Sequence, residues 1–390
     1  MEKIITSELK PIKLWLHDIE PNALNQVVNL ANLPFTFSHV CLMPDAHSGY
    51  GMPIGGVLAT KGVIIPNAVG VDIGCGMCAV RTNILSEELS KDILKEILAE
   101  IRERIPLGFD HQKEKQDESL MPKGFDIDDL KVVKQQYLSA LKQLGTLGGG
   151  NHFIEIQKDQ LGFVWIMIHS GSRNIGLKVA EYYNTKAKKL NELWCSNINP
   201  KVDLAFLPFE TDEARHYYNE MKYCVSFALA NRLLMMERIT EVFADKNPTT
   251  VFEPIINIAH NYAAWETHFN EKVIVHRKGA TSAKAGEIGI IPGSQGTKSY
   301  IVEGLGNPES FMSCSHGAGR AMSRSKAIQT LSVEEEAGKL DALGIIHAIR
   351  NKSDLEEATS AYKNISEVMN FQKDLVKILF ELSPLAVIKG

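Results

Sequence analysis

The chain has 390 residues, 44% of them hydrophobic and 23% charged, with a formal net charge of −5. Such a chain can bury a large core, and its acidic balance excludes binding nucleic acid through a uniformly basic surface while allowing a local basic cleft. Six cysteines are too few for a disulfide scaffold and fit a reducing compartment. A charged, polar start and no run near the roughly 18 apolar residues of a membrane span lead us to expect a cytoplasmic protein.

Two glycine-rich blocks come first, Met43–Val57 (MPDAHSGYGMPIGGV) and Val69–Met77 (VGVDIGCGM). From Leu85 to Ile105, Leu89, Ile93, Leu94, Ile97, Leu98, Ile101 and Ile105 recur at helical spacing, with Ser86 as the expected cap. Asp110–Asp129 is the most polar stretch and reads as a surface excursion. A third glycine block, Leu144–Phe153 (LGTLGGGNHF), opens into a strand over Asn151–Gln157. Alternation there puts His152, Ile154 and Ile156 on one face and Asn151, Phe153, Glu155 and Gln157 on the other.

Val164–Ser170, Ile255–Asn261 and Lys272–Lys278 are apolar, β-branched runs that each reach a histidine and then turn polar. Strand ends opening into loops are where scaffolds present reactive groups, so His169, His260 and His276 are candidates for one shared site. Helices are expected over Gly176–Trp194, over Thr211–Lys246 with Met221, Cys224, Ala228, Met235 and Ile239 as its buried stripe, and over Ile365–Leu382. The last glycine-rich blocks are Pro292–Tyr300 (PGSQGTKSY) and Ser313–Ala327 (SCSHGAGRAMSRSKA).

Glycine is costly to order, so these blocks serve either tight turns or backbone amides that cradle an anion. No G-x-x-x-x-G-K-[ST] occurs, and no G-x-G-x-x-G sits between a strand and a helix, which argues against P-loop and dinucleotide-binding domains. Cys75, three residues after Asp72, pairs a thiolate with a carboxylate, a combination that suits a borderline-soft divalent metal. Cys78 completes a C-x-x-C, readable as a redox pair or half a zinc site, but no second C-x-x-C follows. Asp72, Cys75, His152, His169 and His260 together exceed the four ligands of one closed tetrahedral site. Two ions sharing the thiolate would use them all, and paired ions are the standard clamp for phosphoryl transfer. Arg173, Arg277, Lys278, Lys284, Lys298, Arg320, Arg324 and Lys326 alternate with small residues in the same blocks, a pattern that favours phosphate contacts over a merely solvated face.

In order from Met43 to Gly390, these blocks, together with GGGNHFIE, HSGSRNIG, HNYAAWE, HRKGAT and the terminal VIKG, resemble the RtcB-type RNA ligases, the GTP-dependent tRNA-splicing ligases. The resemblance implies one α+β catalytic domain over residues 1–390, with mixed β-sheets in a central core flanked by helices. It implies joining of RNA ends bearing a 3′-phosphate or 2′,3′-cyclic phosphate to 5′-hydroxyl ends, with GTP and two Mn²⁺ ions, and in some members an archease-type accessory protein. By motif, His316 is the guanylylated histidine, and Asp72, Cys75, His152, His169 and His260 are the metal ligands, with Cys75 shared. Asn151, Phe153, Glu155, Ser294, Ser299, Gly317, Ala318, Gly319, Tyr362 and Lys389 are the implied nucleotide pocket. The chain departs from the family in having Ser282 at a position where arginine is common and in lacking the usual proline before Ala361-Tyr362-Lys363.

Two other functions use the same residues. A binuclear-metal phosphoesterase would need neither GTP nor a reactive His316, and a non-catalytic RNA-end binding module would need no metal.

Overall fold

The computed structural model describes residues 1–390. Two large sheets dominate. One has six strands in the order Lys3–Ile5, Ile12–Leu14, Thr36–His47, Ile54–Thr60, Glu271–Lys278 and Asn261–His268. Its pairs are antiparallel except that of Ile12–Leu14 with Thr36–His47, which is parallel. The other has seven antiparallel strands in the order Ile256–Ala259, Gly76–Leu85, Phe163–Ser170, Phe153–Lys158, Val376–Lys389, Ser299–Gly304 and Ile288–Ile291. With nine helices beside them, this is the expected α+β class.

His260 sits where the chain leaves one sheet for the other, between Ile256–Ala259 of the seven-stranded sheet and Asn261–His268 of the six-stranded sheet. A small ribbon, Ala280–Ser282 paired with Ser313–Ser315, is tied to this crossing by the Ala280 amide, which donates to the His260 carbonyl at 3.3 Å, and carries His316 at its exit.

The helix Asp212–Lys246 is the spine of the core. Tyr217, Met221, Cys224 and Phe227 belong to one buried apolar cluster, and Met235, Met236, Ile239, Val242 and Phe243 to a second. A helix buried on several sides carries no single apolar stripe, which is why the five expected positions, all buried, are only part of its buried surface. Thr211 caps it, its hydroxyl accepting from the amide of Ala214 at 3.3 Å. No helix of the chain is long and apolar enough to cross a membrane.

Three sequence expectations need correcting. The helix expected from Leu85 to Ile105 starts later, at Lys91, capped by Ser90, because Ser86 instead opens a short 3-10 turn in which Glu88 accepts from the amide of Leu85. The segment expected as a helix over 365–382 is helical only over Ile365–Asn370, and Val376–Lys389 is a strand. Its Ile, Leu and Val spacing fits either period, and pairing on both edges decides the outcome. Pro384, which has no amide hydrogen, sits at a register shift, where a strand between two neighbours tolerates it. Finally, His276 is not part of the shared site. It is fully buried, accepts from the amide of Ile65 at 3.0 Å, and bonds the carbonyl of Leu58 through its other ring nitrogen.

Candidate active site

Strand ends set the positions of the candidate ligands. Across the seven-stranded sheet, Ala259 pairs with Gly76, Gly76 with Ser170, and His169 with Phe153. Cys75, His152 and His260 are each the residue adjoining one of these strand termini, so four candidate ligands converge although they lie far apart in sequence. Cys75 Sγ is 3.4 Å from His152 Nε2 and 3.3 Å from His169 Nε2. His169 Nε2 is 3.4 Å from His260 Nε2, and His152 Nε2 is 3.1 Å from Asp72 Oδ2.

Donors that share a tetrahedral ion through bonds of about 2.0–2.3 Å stand roughly 3.3–3.8 Å apart. The five residues form two clusters, Asp72–Cys75–His152 and Cys75–His169–His260, within each of which the donor atoms lie within 4.8 Å of one another. Cys75 belongs to both. Asn151 contributes through its carbonyl, which accepts from His169 Nδ1 at 3.0 Å and leaves Nε2 of that ring as the bare donor.

Without cations the cluster is electrostatically poised against itself. Burial, and then the charge of Asp72, push the Cys75 thiol well above its usual range. Burial and neighbouring imidazoles hold His169 and His260 well below theirs. Burial opposes ionisation of Asp72, but His152 overcomes it and holds the carboxyl low. A divalent ion would favour the thiolate and the neutral imidazoles together.

His316 stands beside this cluster, its ring edge-on to His260 with centroids 4.8 Å apart. Its Nδ1 lies 2.6 Å from Asp45 Oδ2, which also accepts from the His316 amide at 3.0 Å. A carboxylate only accepts, so Nδ1 carries the proton and Nε2 keeps a free lone pair. Asp45 is fully buried, yet its carboxyl is held low, burial being offset by the hydrogen bond from His316 and by nearby Lys363. The turn after His316 packs tightly on Asp45: Gly319 has φ +73°, and a side chain there would run into the Asp45 backbone.

A cavity of about 650 Å³ spans both groups. Asn151, Phe153, Glu155, Ser294, Gly317, Ala318, Gly319, Tyr362 and Lys389 border it, as do Asp72, Cys75, His169, His260 and His316. His152 and Ser299 do not. His152 stands behind Cys75, and the Ser299 hydroxyl supports the wall, accepting from Gln157 Nε2 at 3.0 Å and from the Gly293 amide at 3.1 Å. The C-terminal strand delivers Lys389 directly opposite Phe153, its Nζ 5.5 Å from the ring centroid. Burial, partly offset by Gln157 and Lys389, raises Glu155 to about 8. Burial in turn lowers Lys389.

Sequence reasoning missed two acids. Asp45 lies inside a quoted block, but nothing local distinguishes it, because its partner is remote. Glu357 is nearly fully buried and gathers Arg320, Arg324 and Tyr362, accepting from Arg320 Nη1 at 3.1 Å and Arg324 Nε at 2.9 Å. Arg320, expected to grip phosphate, is therefore tied to Glu357 and to the carbonyls of Met322 and Glu356. Arg277 is likewise structural, fully buried and paired with Glu266. Lys298 pairs with Glu381 on the surface. Ser282 donates to Glu287 at 2.6 Å.

The family described as tRNA-splicing ligase RtcB matches residues 26–390. An RNA-splicing ligase RtcB of Escherichia coli (strain K12) is 41% identical, covering 100% of this chain and 99% of the relative. A tRNA-splicing ligase RtcB of Nanoarchaeum equitans is 34% identical over 97% of this chain and 95% of its own length. One from Thermococcus kodakarensis is 31% identical over 95% and 92%, respectively.

Proposed function

The chain belongs to the RtcB family and is an RNA ligase, and from that premise we propose that it joins RNA 3′-phosphate or 2′,3′-cyclic phosphate ends to 5′-hydroxyl ends through a guanylylated His316, using GTP and two Mn²⁺ ions. The observation that carries this proposal is the presentation of His316 Nε2 by Asp45 beside two donor clusters that share Cys75.

The donor set of one thiolate, three imidazoles and one carboxylate fits two borderline-soft divalent ions. When bound, such ions neutralise charge on phosphoryl oxygens. The remaining chemistry belongs to the side chains. His316 Nε2 attacks the α-phosphorus of GTP, forming a P–N bond as the P–O bond to pyrophosphate breaks. Asp45 steadies the positive charge that develops on the imidazole. An oxygen of the RNA 3′-phosphate then attacks the same phosphorus, and the P–N electron pair returns to Nε2. The 5′-hydroxyl of the second strand attacks the RNA phosphorus, its proton is lost, and GMP leaves. A 2′,3′-cyclic end is first opened by water.

Glu155 and Lys389 face the cavity beside Phe153 and supply an acceptor and a donor for a purine edge. The Tyr362 ring offers a stacking surface. Because the proposed metal ligands and His316 run from residue 72 to residue 316, the chain would act as one catalytic unit.

The test is incubation with α-labelled GTP and Mn²⁺. An acid-labile, alkali-stable adduct on the wild type that is lost in His316→Ala is the expected result. Turnover of phosphorylated RNA ends without GTP would instead favour a binuclear phosphoesterase.

A further inference from the structure

The same cavity is also bordered by Glu20, His47, Ser48, Tyr50, Asn67 and Lys278, a lobe tied together by the Lys278 hydrogen bonds to the Tyr50 and Asn67 carbonyls. We infer that this lobe seats the terminal nucleoside of the RNA strand that carries the 3′-phosphate, with the Tyr50 ring stacking on its base and His47 Nε2 accepting a hydrogen bond from its 2′-hydroxyl. The inference rests on the ligase mechanism above, which needs two nucleosides on opposite sides of the phosphorus held at His316.

Strand geometry places the lobe. Residues 45 and 47 stand near the end of one strand, Thr36–His47, where its register with Ile54–Thr60 shifts. Asp45 serves His316, and His47 borders the same cavity. His47 pairs across the sheet with Ile54, and a side chain added at Gly279 would meet both Ile54 and His316, whose Cε1 would be 3.1 Å away. The floor of the lobe therefore abuts the imidazole of His316.

The chemistry of its walls fits a nucleoside. Tyr50 is 76% exposed, an unusual state for an aromatic side chain at a cavity wall, and neither its ring nor its hydroxyl has a partner in the chain. Its backbone is nonetheless pinned, the carbonyl accepting from Lys278 Nζ at 2.6 Å and from the Met52 amide at 2.8 Å. An uncovered ring carried on a pinned backbone offers a stacking surface that accepts any base. His47 donates from Nδ1 to the Asp45 carbonyl at 3.2 Å. Burial keeps the ring neutral, lowering it to about 4. Its Nε2 is thus a bare acceptor with no partner in the chain, and a ribose 2′-hydroxyl is a donor that DNA lacks. Glu20 is an ionised carboxylate at the edge of the lobe: against burial, the hydroxyl and amide of Ser48, both donating to one of its oxygens, hold it low. Lys278 Nζ is committed to the Tyr50 and Asn67 carbonyls, and burial lowers it to about 7, so it anchors the wall of the lobe.

The experiment measures binding of a fluorescent 3′-phosphorylated RNA to the full chain by anisotropy, without GTP, followed by sealing kinetics. Tyr50→Ala should weaken binding of that strand about tenfold and raise its KM similarly. The KM for the 5′-hydroxyl strand should stay unchanged, and Tyr50→Phe should behave as wild type. His47→Ala should cost roughly fivefold on a ribose-terminated strand and nothing on a 2′-deoxy-terminated one, with His47→Gln, which keeps an acceptor, restoring most of the loss. Equal weakening for both strands, unchanged binding in Tyr50→Ala, or the same His47→Ala loss on deoxy ends would overturn the inference. A wild type that binds the 3′-phosphate strand with this pattern but never forms a GTP adduct would instead sink the guanylylation mechanism.

Discussion

Asp45 Oδ2 and His316 Nδ1, 271 residues apart in the chain, meet at 2.6 Å in a buried hydrogen bond. That contact determines which nitrogen of His316 keeps its lone pair, and so which one would attack in the proposed guanylylation. Asp45→Asn can present an amide to Nδ1 and so favour the wrong tautomer. Adduct formation with labelled GTP should fall by roughly 10²–10⁴-fold, comparable to loss of the orienting acid in other histidine-dependent sites. Thermal unfolding should remain cooperative. Guanylylation at near wild-type rate would remove Asp45 from the mechanism.

Cys75 is common to both donor clusters, whereas His260 belongs to one. Cys75→Ala should therefore reduce bound Mn²⁺ from two ions to fewer than one. His260→Ala should retain the ion held by Asp72, Cys75 and His152. Metal content after dialysis, read by mass spectrometry, distinguishes this from independent sites, for which both variants would lose one ion.

Glu155 gives a pH dependence with a definite sign. Burial raises it to about 8, so its carboxyl is mostly protonated at pH 6.5 and ionised at pH 8.5. If the carboxylate accepts from guanine, GTP affinity should rise roughly tenfold across that interval, and Glu155→Gln should flatten the profile. Stability of the unliganded protein should move the other way. The folded state holds a proton that the unfolded state releases near pH 4.5, so this group's contribution falls as pH rises from about 4.5 to 8. Calorimetric titration and denaturant melts at the two pH values test both trends.

Glu357 holds Arg320, Arg324 and Tyr362 together. Glu357→Gln leaves the guanidiniums without a counter-charge. Because Arg324 is 48% exposed and partly screened, we expect a loss of roughly 2–3 kcal/mol, below that of breaking a wholly buried pair. Guanidinium chloride unfolding measures it. A change under 0.5 kcal/mol would mean that water already satisfies these arginines.

The candidate metal site was more legible in the sequence than its supports. His169 and His260 stand where β-branched runs turn polar, and Asp72 and Cys75 share one glycine-rich block, so composition marks them. His276 carries the same local mark, but its imidazole is fully buried and satisfies backbone groups at Ile65 and Leu58. Asp45 and Glu357 were invisible because each takes its role from partners brought in by folding. Tertiary pairing also overrode the local pattern at Val376–Lys389, where helical and strand spacings coincide.

That strand lies between Phe153–Lys158 and Ser299–Gly304, so the sheet closes only when residues 376–389 have left the ribosome. Until then a nascent chain exposes two unpaired edges and lacks Lys389 opposite Phe153. Such a gap leaves strand edges open to mispairing during synthesis until the last residues are in place.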